Sequence, residues 1–307
     1  MKTNRWVAVF VAVLASAGCE NSSLPASDTP QVFEGESDTR VATAVCNGDV
    51  ETVEELITEA KEIDAVGEFG VTPLIWALTC HGLEFNDMKA DEFIRTGRAP
   101  AIGKPDPRYM ASIEALLKAG ANPNAMIDGD FGPAYPGAYR SWIDGYSPVL
   151  IAAEFHEPDV LALLLEYGGD PNAMHGEGET SALLLAFSRG RWLDLGPQMV
   201  PFDERHWRNM FLLLDAGARL ELAPEDQLNV VEMASLNRVG MAAQLLKTYP
   251  YTGDFEIIVS NLYSALEMDY PGQQERRELL TYLRDKRGID TDEIWARYLT
   301  TPGIKSE

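Results

Sequence analysis

Residues 147–190 read SPVLIAAEFHEPDVLALLLEYGGDPNAMHGEGETSALLLAFSRG, and this stretch decides the fold. Ser147 is a residue type that caps helix N-termini and Pro148 suits a first helical turn, so a short apolar helix is predicted to begin here. Apolar residues at helical spacing from Asp159 to Tyr167 predict a second helix. Gly168-Gly169 ends it, because glycine adopts the positive φ that a helix C-terminus needs. The stretch therefore predicts two helices, a loop and the start of the next unit.

The residue order within this unit resembles the ankyrin repeat family. The sequence has S-P-V-L-I-A-A, a leucine run and then G-G-D-P-N-A, where the family has T-P-L-H-x-A-A, a leucine run and G-A-D-V-N-A. Ser147 stands for Thr, Val149 for Leu and Ile151 for His. The resemblance implies an all-α solenoid of helix-turn-helix units that are joined by β-hairpin loops.

One such unit cannot bury its own apolar face, so at least three units must stack. The leucine run and the turn that follows it occur four times, in residues 55–65, 115–125, 163–173 and 212–220. The offsets of 60, 48 and 49 residues exceed the family period of ~33 residues. Each interval therefore contains an insertion, and the long ones are residues 83–108, 131–144 and 191–204.

The predicted ankyrin-repeat domain covers residues 38–307. The family pattern fades after about residue 224, but apolar residues keep a helical spacing beyond it. We interpret four later helices, in residues 228–237, 241–247, 255–266 and 275–287, as divergent repeats. A polar helix near residues 292–299 is predicted to cap the stack.

The N-terminus has the order of a secretory signal peptide. A short basic segment is followed by an apolar run from Trp6 to Ala17, which at about a dozen residues is short for a membrane span. Ser16-Ala17-Gly18-Cys19 then resembles the lipobox of bacterial lipoproteins, with Ser16 in place of the usual Leu. The alternative is an ordinary signal peptide that is cleaved near Gly18 or Cys19.

The lipobox resemblance implies a signal peptide over residues 1–18 and a lipid on Cys19. Residues 19–37 contain Ser, Pro and Glu with little apolar periodicity, and they predict a flexible tether. Glu20 follows the cysteine, and in the lipoprotein family a residue other than Asp at this position favours the outer membrane. The expected location is therefore the bacterial envelope, with the protein anchored by its lipid and facing the periplasm.

The 307 residues include 48 Asp and Glu against 25 Lys and Arg, which gives a net charge of −23. Nucleic acids are polyanions, so this charge argues against a nucleic-acid partner. Two interpretations remain. The charge keeps an acidic protein soluble, or it steers a cationic protein partner towards the surface.

The loop between Ala125 and Tyr146 is long and rich in aromatic residues. It contains Phe131, Tyr135, Tyr139, Trp142 and Tyr146, with Asp128, Asp130 and Asp144 beside them. The aromatic residues either fold back on themselves as a small core or anchor a partner, since Tyr and Trp dominate binding hot spots.

Motifs for catalysis or metal binding are missing from the sequence. It contains no H-E-x-x-H and no G-x-S-x-G motif. His175 with Glu177 and Glu179 is the only local cluster of His and carboxylates, and its place at a hairpin tip favours side chains that face water. We therefore expect no enzyme, no metal site, no cofactor and no small-molecule substrate.

Cys46 and Cys80 are 34 residues apart, at equivalent points of two units. An oxidising envelope favours a disulfide between them. The spacing of stacked helices, about 8–10 Å, opposes it, because a disulfide needs Cα atoms within about 7 Å. The other interpretation is two small buried apolar residues.

Three hypotheses of function follow. The first is an envelope-anchored module that binds a cationic protein. Ankyrin-repeat lipoproteins of this kind include immunity proteins against envelope-acting toxins such as type VI secreted lipases. The second is a structural scaffold of the envelope, and the third, a hydrolase, is disfavoured because catalytic motifs are missing.

The predicted partner surface is the concave side between the first and third hairpins, with the aromatic loop 131–146 reaching over it. Its predicted residues are Glu68, Phe69, Asp128, Asp130, Phe131, Tyr135, Tyr139, Trp142, Asp144, Glu177 and Glu179. The competing expectation places the contact on the insertions between helices, residues 83–108 and 191–204, and leaves the aromatic loop packed on itself.

The lipid anchor predicts the behaviour of one variant. Cys19→Ser removes the thiol that would be acylated, so we expect an unlipidated and unprocessed precursor. Mass spectrometry of the N-terminal peptide and membrane fractionation measure this directly. Wild-type fractionation of the variant would contradict the lipoprotein interpretation.

Overall fold

The computed structural model describes residues 33, 36–59, 63–67, 70–82, 106–128, 144–155, 158–176, 178–188 and 204–300. The side chains of residues 59, 80–82, 155, 188, 204–206 and 237 lie outside this description. Thirteen α-helices lie in the described part of the chain. The helices are α1 Glu36–Asn47, α2 Val50–Glu59, α3 Pro73–Gly82, α4 Pro107–Lys118, α5 Pro148–Phe155, α6 Pro158–Glu166, α7 Ala182–Ser188, α8 Glu204–Asp215, α9 Val230–Asn237, α10 Val239–Thr248, α11 Glu256–Glu267, α12 Gln273–Arg287 and α13 Thr291–Thr300.

The helices pack as successive pairs in two layers. The first helices form one row, in which α1, α3, α5, α7, α9, α11 and α13 each contact the next. The second helices form the other row, with α2 on α4, α4 on α6, α6 on α8 and α10 on α12. Each first helix from α1 to α11 also packs on its own second helix. The predominantly helical, all-α prediction is therefore confirmed.

The core runs without interruption from Phe33 to Ile294. Its centre is formed by the first helices, where Ile75, Ala77, Ile151 and others have no exposed surface. A helix that is apolar on all sides must be covered on all sides. The neighbours before and after it in the row provide this cover.

Polar residues begin several of the first helices, as the sequence predicts. The Ser147 hydroxyl accepts a hydrogen bond from the Leu150 N–H at 3.4 Å. Thr72 and Ser181 do the same at the starts of α3 and α7. At α9, Asn229 and Glu232 form a reciprocal capping box. These caps satisfy N–H groups that have no partner inside the helix.

The sequence also predicts the later helices and the closing one correctly. Helices α9 to α12 continue the pairing after residue 224, and α13 packs on α11 at the end of the row. Thr291 and Ile294 are the buried residues of α13. Its Trp295 ring stacks between Tyr263 and Tyr298, with centroids 5.2 Å from each.

Two details differ from the predictions. Helix α1 begins at Glu36, and Phe33 is buried edge-on against Trp76 at 6.2 Å, so the fold begins within the predicted tether. The predicted β-hairpins contain no strand in the described residues. They show one isolated antiparallel bridge between Met174 and Ser181. One backbone hydrogen bond crosses the described part of the first loop and two cross each of the second and third loops, which is too few for a ladder.

Two asparagine side chains join the loops of neighbouring units. Asn124 donates to the Gly168 carbonyl at 3.0 Å and accepts from the Asp170 N–H at 2.8 Å. Asn172 repeats this one unit later, towards Gly217 and Arg219, at 3.3 and 2.9 Å. An amide both donates and accepts, so one side chain satisfies two backbone groups of the next loop.

The asparagine bridge predicts a difference between two variants. Asn172→Ala removes both hydrogen bonds to the next unit, so we expect a loss of about 1–2 kcal/mol in the free energy of unfolding. Asn122→Ala is the control, because its side chain accepts one bond from Asn124 within the same loop. Denaturant unfolding measures both. Equal losses would show that the bridge adds nothing to the stability of the stack.

Candidate functional site

The loops that connect successive helix pairs lie side by side, and we call their described residues, 63–67, 70–72, 119–128, 144–147, 167–176 and 178–181, the loop face. Within the second loop, Ile127 donates to Tyr146 O at 2.9 Å and accepts from the Gly145 N–H at 3.0 Å. The Gly176 N–H donates to Gly145 O at 2.9 Å and so joins the third loop to the second.

Glycines permit these close approaches. A Cβ at Gly70 would lie 2.8 Å from Asp128 N, so the first and second loops are in contact there. A Cβ at Gly145 would lie 2.9 Å from His175 Nε2 and 3.0 Å from Gly176 N. Gly145 also has a φ of +73°, a conformation that other residues rarely adopt. The loop face is therefore built around contacts that larger residues would disrupt.

His175 connects the second and third loops. Its Nε2 donates to Asp144 O at 2.6 Å, and because a carbonyl oxygen only accepts, Nε2 carries the proton. The ring lies edge-on to Tyr146 at 5.7 Å, and its side chain is 12% exposed. Tyr146 in turn donates to Glu154 at 2.8 Å. The expectation that His175 faces water is wrong, since the ring is packed between loops.

The structure brings three of the predicted site residues onto this face. Asp128 and Asp144 are exposed on the second loop. Glu179, with a side chain that is 66% exposed, lies on the third loop with Oε2 4.0 Å from His175 Nδ1. The other predicted residues lie outside the described part of the chain: Glu68, Phe69, Asp130, Phe131, Tyr135, Tyr139, Trp142 and Glu177.

Sequence reasoning missed two exposed apolar residues on the same face. Val66 is 69% exposed on the first loop and Met126 is 42% exposed on the second. A Cβ at Gly176 would lie 3.1 Å from the Met126 methyl group, so Met126 lies against the third loop. The sequence does contain a pattern that could have pointed to Met126. The tripeptide Asn-Ala-Met occurs at 124–126 and again at 172–174, after the leucine run of two successive units. The face thus presents apolar side chains next to carboxylates.

The charge of the chain is concentrated in the part that forms this face. Residues 19–203 contain 31 Asp and Glu and 11 Lys and Arg, whereas residues 204–307 contain 17 and 12. A surface with one dominant sign of charge attracts a partner of the opposite sign.

Cys46 forms a disulfide bond. The side chains of the two other cysteines, Cys19 and Cys80, lie outside the description. Helix α1, which carries Cys46, packs on α3, which carries Cys80. The pairing of Cys46 with Cys80 stays a prediction, and the contact between their helices favours it.

The described residues show neither a metal-binding cluster nor a membrane-spanning helix. They contain no group of three or more His, Cys, Asp or Glu side chains arranged around a metal ion. None of their helices has the length and hydrophobicity to cross a membrane. A comparison of the sequence with models of known protein families finds no match.

The glycine contacts predict the effect of a matched pair of variants. Gly145→Ala and Gly178→Ala both place a side chain at a φ near +75°, but the Cβ at Gly178 meets nothing within 4 Å. We expect Gly178→Ala to cost about 1 kcal/mol of unfolding free energy. Gly145→Ala should cost about 1–3 kcal/mol more, because its Cβ collides with backbone and a packed ring. Denaturant unfolding compares them. Equal costs would contradict the tight contact between the second and third loops.

Proposed function

We propose that the chain is an ankyrin-type repeat protein of the bacterial envelope that binds a cationic protein through the loop face. The single observation that carries this proposal is the row of joined loops, which presents Asp128, Asp144 and Glu179 beside Val66 and Met126.

Several features support the ankyrin-type arrangement. In the described part of the chain, the helix pairs contact their neighbours in chain order, mainly first helix on first and second on second. Thr72, Ser147 and Ser181 cap the first helices at the position of the family's Thr-Pro pattern. Solenoids of this kind present extended surfaces made from equivalent loops.

The chemistry of the loop face favours a protein partner with Lys or Arg around an apolar residue. Val66 and Met126 supply apolar surface that is already exposed, so burying it in an interface is favourable. The carboxylates supply long-range attraction, which raises the association rate more than the affinity. Because backbone hydrogen bonds hold the loops in place, little conformational entropy is lost on binding.

Within this class, we favour an immunity protein that neutralises an envelope-acting toxin, with a lipase of the type VI kind as one form of partner. The N-terminal lipobox of Ser16 to Cys19 supports an envelope location. Affinity capture from membranes with the mature protein, followed by mass spectrometry, tests this. Capture of a secreted enzyme that loses activity in the complex is expected. Capture of envelope-assembly components alone would favour the scaffold hypothesis instead.

Charge variants test the surface once a partner is captured. Asp128→Asn with Asp144→Asn should lower the association rate about threefold to tenfold at low salt. Glu267→Gln with Glu293→Gln is the matched control, since both side chains are exposed on other parts of the chain and the charge change is the same. Stopped-flow binding at two salt concentrations gives the rates. An equal reduction in both double variants would show that only net charge matters.

A second comparison separates the loop face from the insertions between helices. Tyr139→Ala with Trp142→Ala, and a shortened 83–108 segment, are each checked for wild-type folding by circular dichroism. We expect the aromatic variant to bind more weakly, because the predicted partner surface includes the aromatic loop 131–146 together with the loop face. Wild-type binding by the aromatic variant, together with loss of binding in the shortened one, would place the contact on the insertions between helices and overturn the proposal.

A further inference from the structure

Cys46 is covalently joined to another part of the chain. It forms a disulfide bond, and the chain has three cysteines, so the bonded residue is Cys19 or Cys80. Helix α1 packs on α3, and Cys46 and Cys80 lie in the last turns of these two helices. The lipobox resemblance assigns a lipid to the Cys19 sulfur, and an alkylated sulfur cannot form a disulfide. These observations favour Cys80.

A bond between Cys46 and Cys80 closes a ring of 35 residues. The ring contains the whole of α2 and the first loop of the loop face, which is described at residues 63–67 and 70–72. Val66, whose exposed side chain contributes apolar surface to the loop face, lies inside the ring. The bond therefore constrains the segment that positions one part of the proposed partner surface.

The second helix of the first pair is less well covered than the second helices further along. Helix α2 fully buries two apolar side chains, Val53 and Leu56. Helix α6 packs between α4 and α8, whereas α2 is the first of its row in the described part of the chain and packs on α4 alone within that row. The end unit of a stack has one neighbour and opens more readily than a central unit.

Few non-covalent contacts join the first loop to the second. The Asp64 carboxylate accepts a hydrogen bond from the Asn122 N–H at 2.9 Å, and this bond is exposed to water. Gly70 lies against the backbone of Asp128. An exposed hydrogen bond competes with water and so resists local opening weakly. A covalent bond within the first pair therefore contributes strongly to the position of the first loop.

We propose that a disulfide between Cys46 and Cys80 makes the first loop of the loop face redox-sensitive. When the bond is formed, the ring keeps α2 and the first loop against α4 and the second loop. When the bond is reduced, the first helix pair opens locally and Val66 leaves the partner surface, while the later pairs stay folded. This regulation rests on the proposed function, because the first loop affects binding only if the loop face contacts the partner.

Reduction of the bond is a thiol–disulfide exchange with a dithiol. A thiolate of the dithiol attacks one of the two sulfurs, a mixed disulfide forms, and the other cysteine leaves as a thiolate. The second thiol of the dithiol then displaces the remaining cysteine. The products are two cysteine thiols and the oxidised dithiol, so two electrons and two protons pass to the chain. Cys46 is partly exposed, which gives a dissolved thiolate access to the bond.

Hydrogen exchange measured by mass spectrometry on the purified chain tests the proposal without a partner. Peptide mapping without reductant first identifies the bonded pair, and a pair of Cys19 with Cys46 would overturn the proposal. Dithiothreitol then reduces the bond. We expect amide exchange in residues 36–72 to accelerate about tenfold to a hundredfold, because the ring no longer restricts the opened state. Exchange in α11 to α13 should stay the same. Unchanged exchange in residues 36–72, or equally faster exchange throughout the chain, would contradict a local effect.

Two serine variants assign the effect to this bond. Cys80→Ser removes the bond without a reductant, so it should reproduce the exchange of the reduced chain and show no further change with dithiothreitol. Cys19→Ser is the matched control, because it makes the same substitution outside the ring. It should keep both the wild-type exchange and the wild-type response to dithiothreitol. Faster exchange of residues 36–72 in Cys19→Ser would overturn the proposal.

Binding measurements distinguish a failure of this proposal from a failure of the proposed function. Once a partner is captured, reduction of the chain or Cys80→Ser should weaken binding about tenfold, which is the effect of losing one buried Val side chain from an interface. Equal affinities of the oxidised and reduced chains would overturn redox control of binding and leave the proposed function intact. If no partner binds, the proposed function fails, and the exchange measurement still decides whether the first loop is redox-sensitive.

Discussion

The structure depends on one constraint, which is that the central first helices, α3, α5 and α7, are buried on nearly every side. In α5, the residues Leu150, Ile151, Ala152 and Ala153 have no exposed surface. Its own partner α6 covers one side only, so α3 and α7 must cover the others. The alanines keep the helix narrow enough for neighbours on both sides. Each further first helix needs a neighbour on its outer side in the same way, until α13 ends the row. The outer residues of α13 are exposed, and it buries only Thr291 and Ile294 against the stack.

The loop face follows from that constraint. Because the helix pairs must stack in chain order, the loops between them come to lie next to one another. Asn124 and Asn172 then hold each loop to the next, and Gly145 allows the second and third loops to touch. The loop face is thus a by-product of core packing, and its loops gain fixed positions from Asn124, Asn172 and Gly145. Stability and the proposed binding surface are consequently linked at the same loops.

Sequence reasoning succeeded where local pattern decides the structure. Apolar spacing predicted the helices, including those after residue 224, and the Ser147 cap is a contact between residues three apart. It failed where distant segments meet. The burial of His175 depends on Asp144 and Tyr146, about one loop earlier in the chain, and the packing of Phe33 depends on Trp76. Arg276 looks like a surface residue of a charged helix, and only the approach of α9 buries it. No periodicity encodes which segments come together.

Helix α9 shows how a charged residue can hold two helix pairs together. The helix begins at the loop side, after Asn229, and ends at Arg238. The last carbonyls of a helix have no partner inside it. The buried Arg276 of α12 donates to two of them, Ser235 O at 3.0 Å and Leu236 O at 3.1 Å, and also to Pro271 O at 3.4 Å. A guanidinium has five N–H donors in a fixed fork, so one side chain can satisfy several carbonyls at once. The end of α9 is therefore tied to the start of α12 by a residue that, from its place on a charged helix, would be expected at the surface.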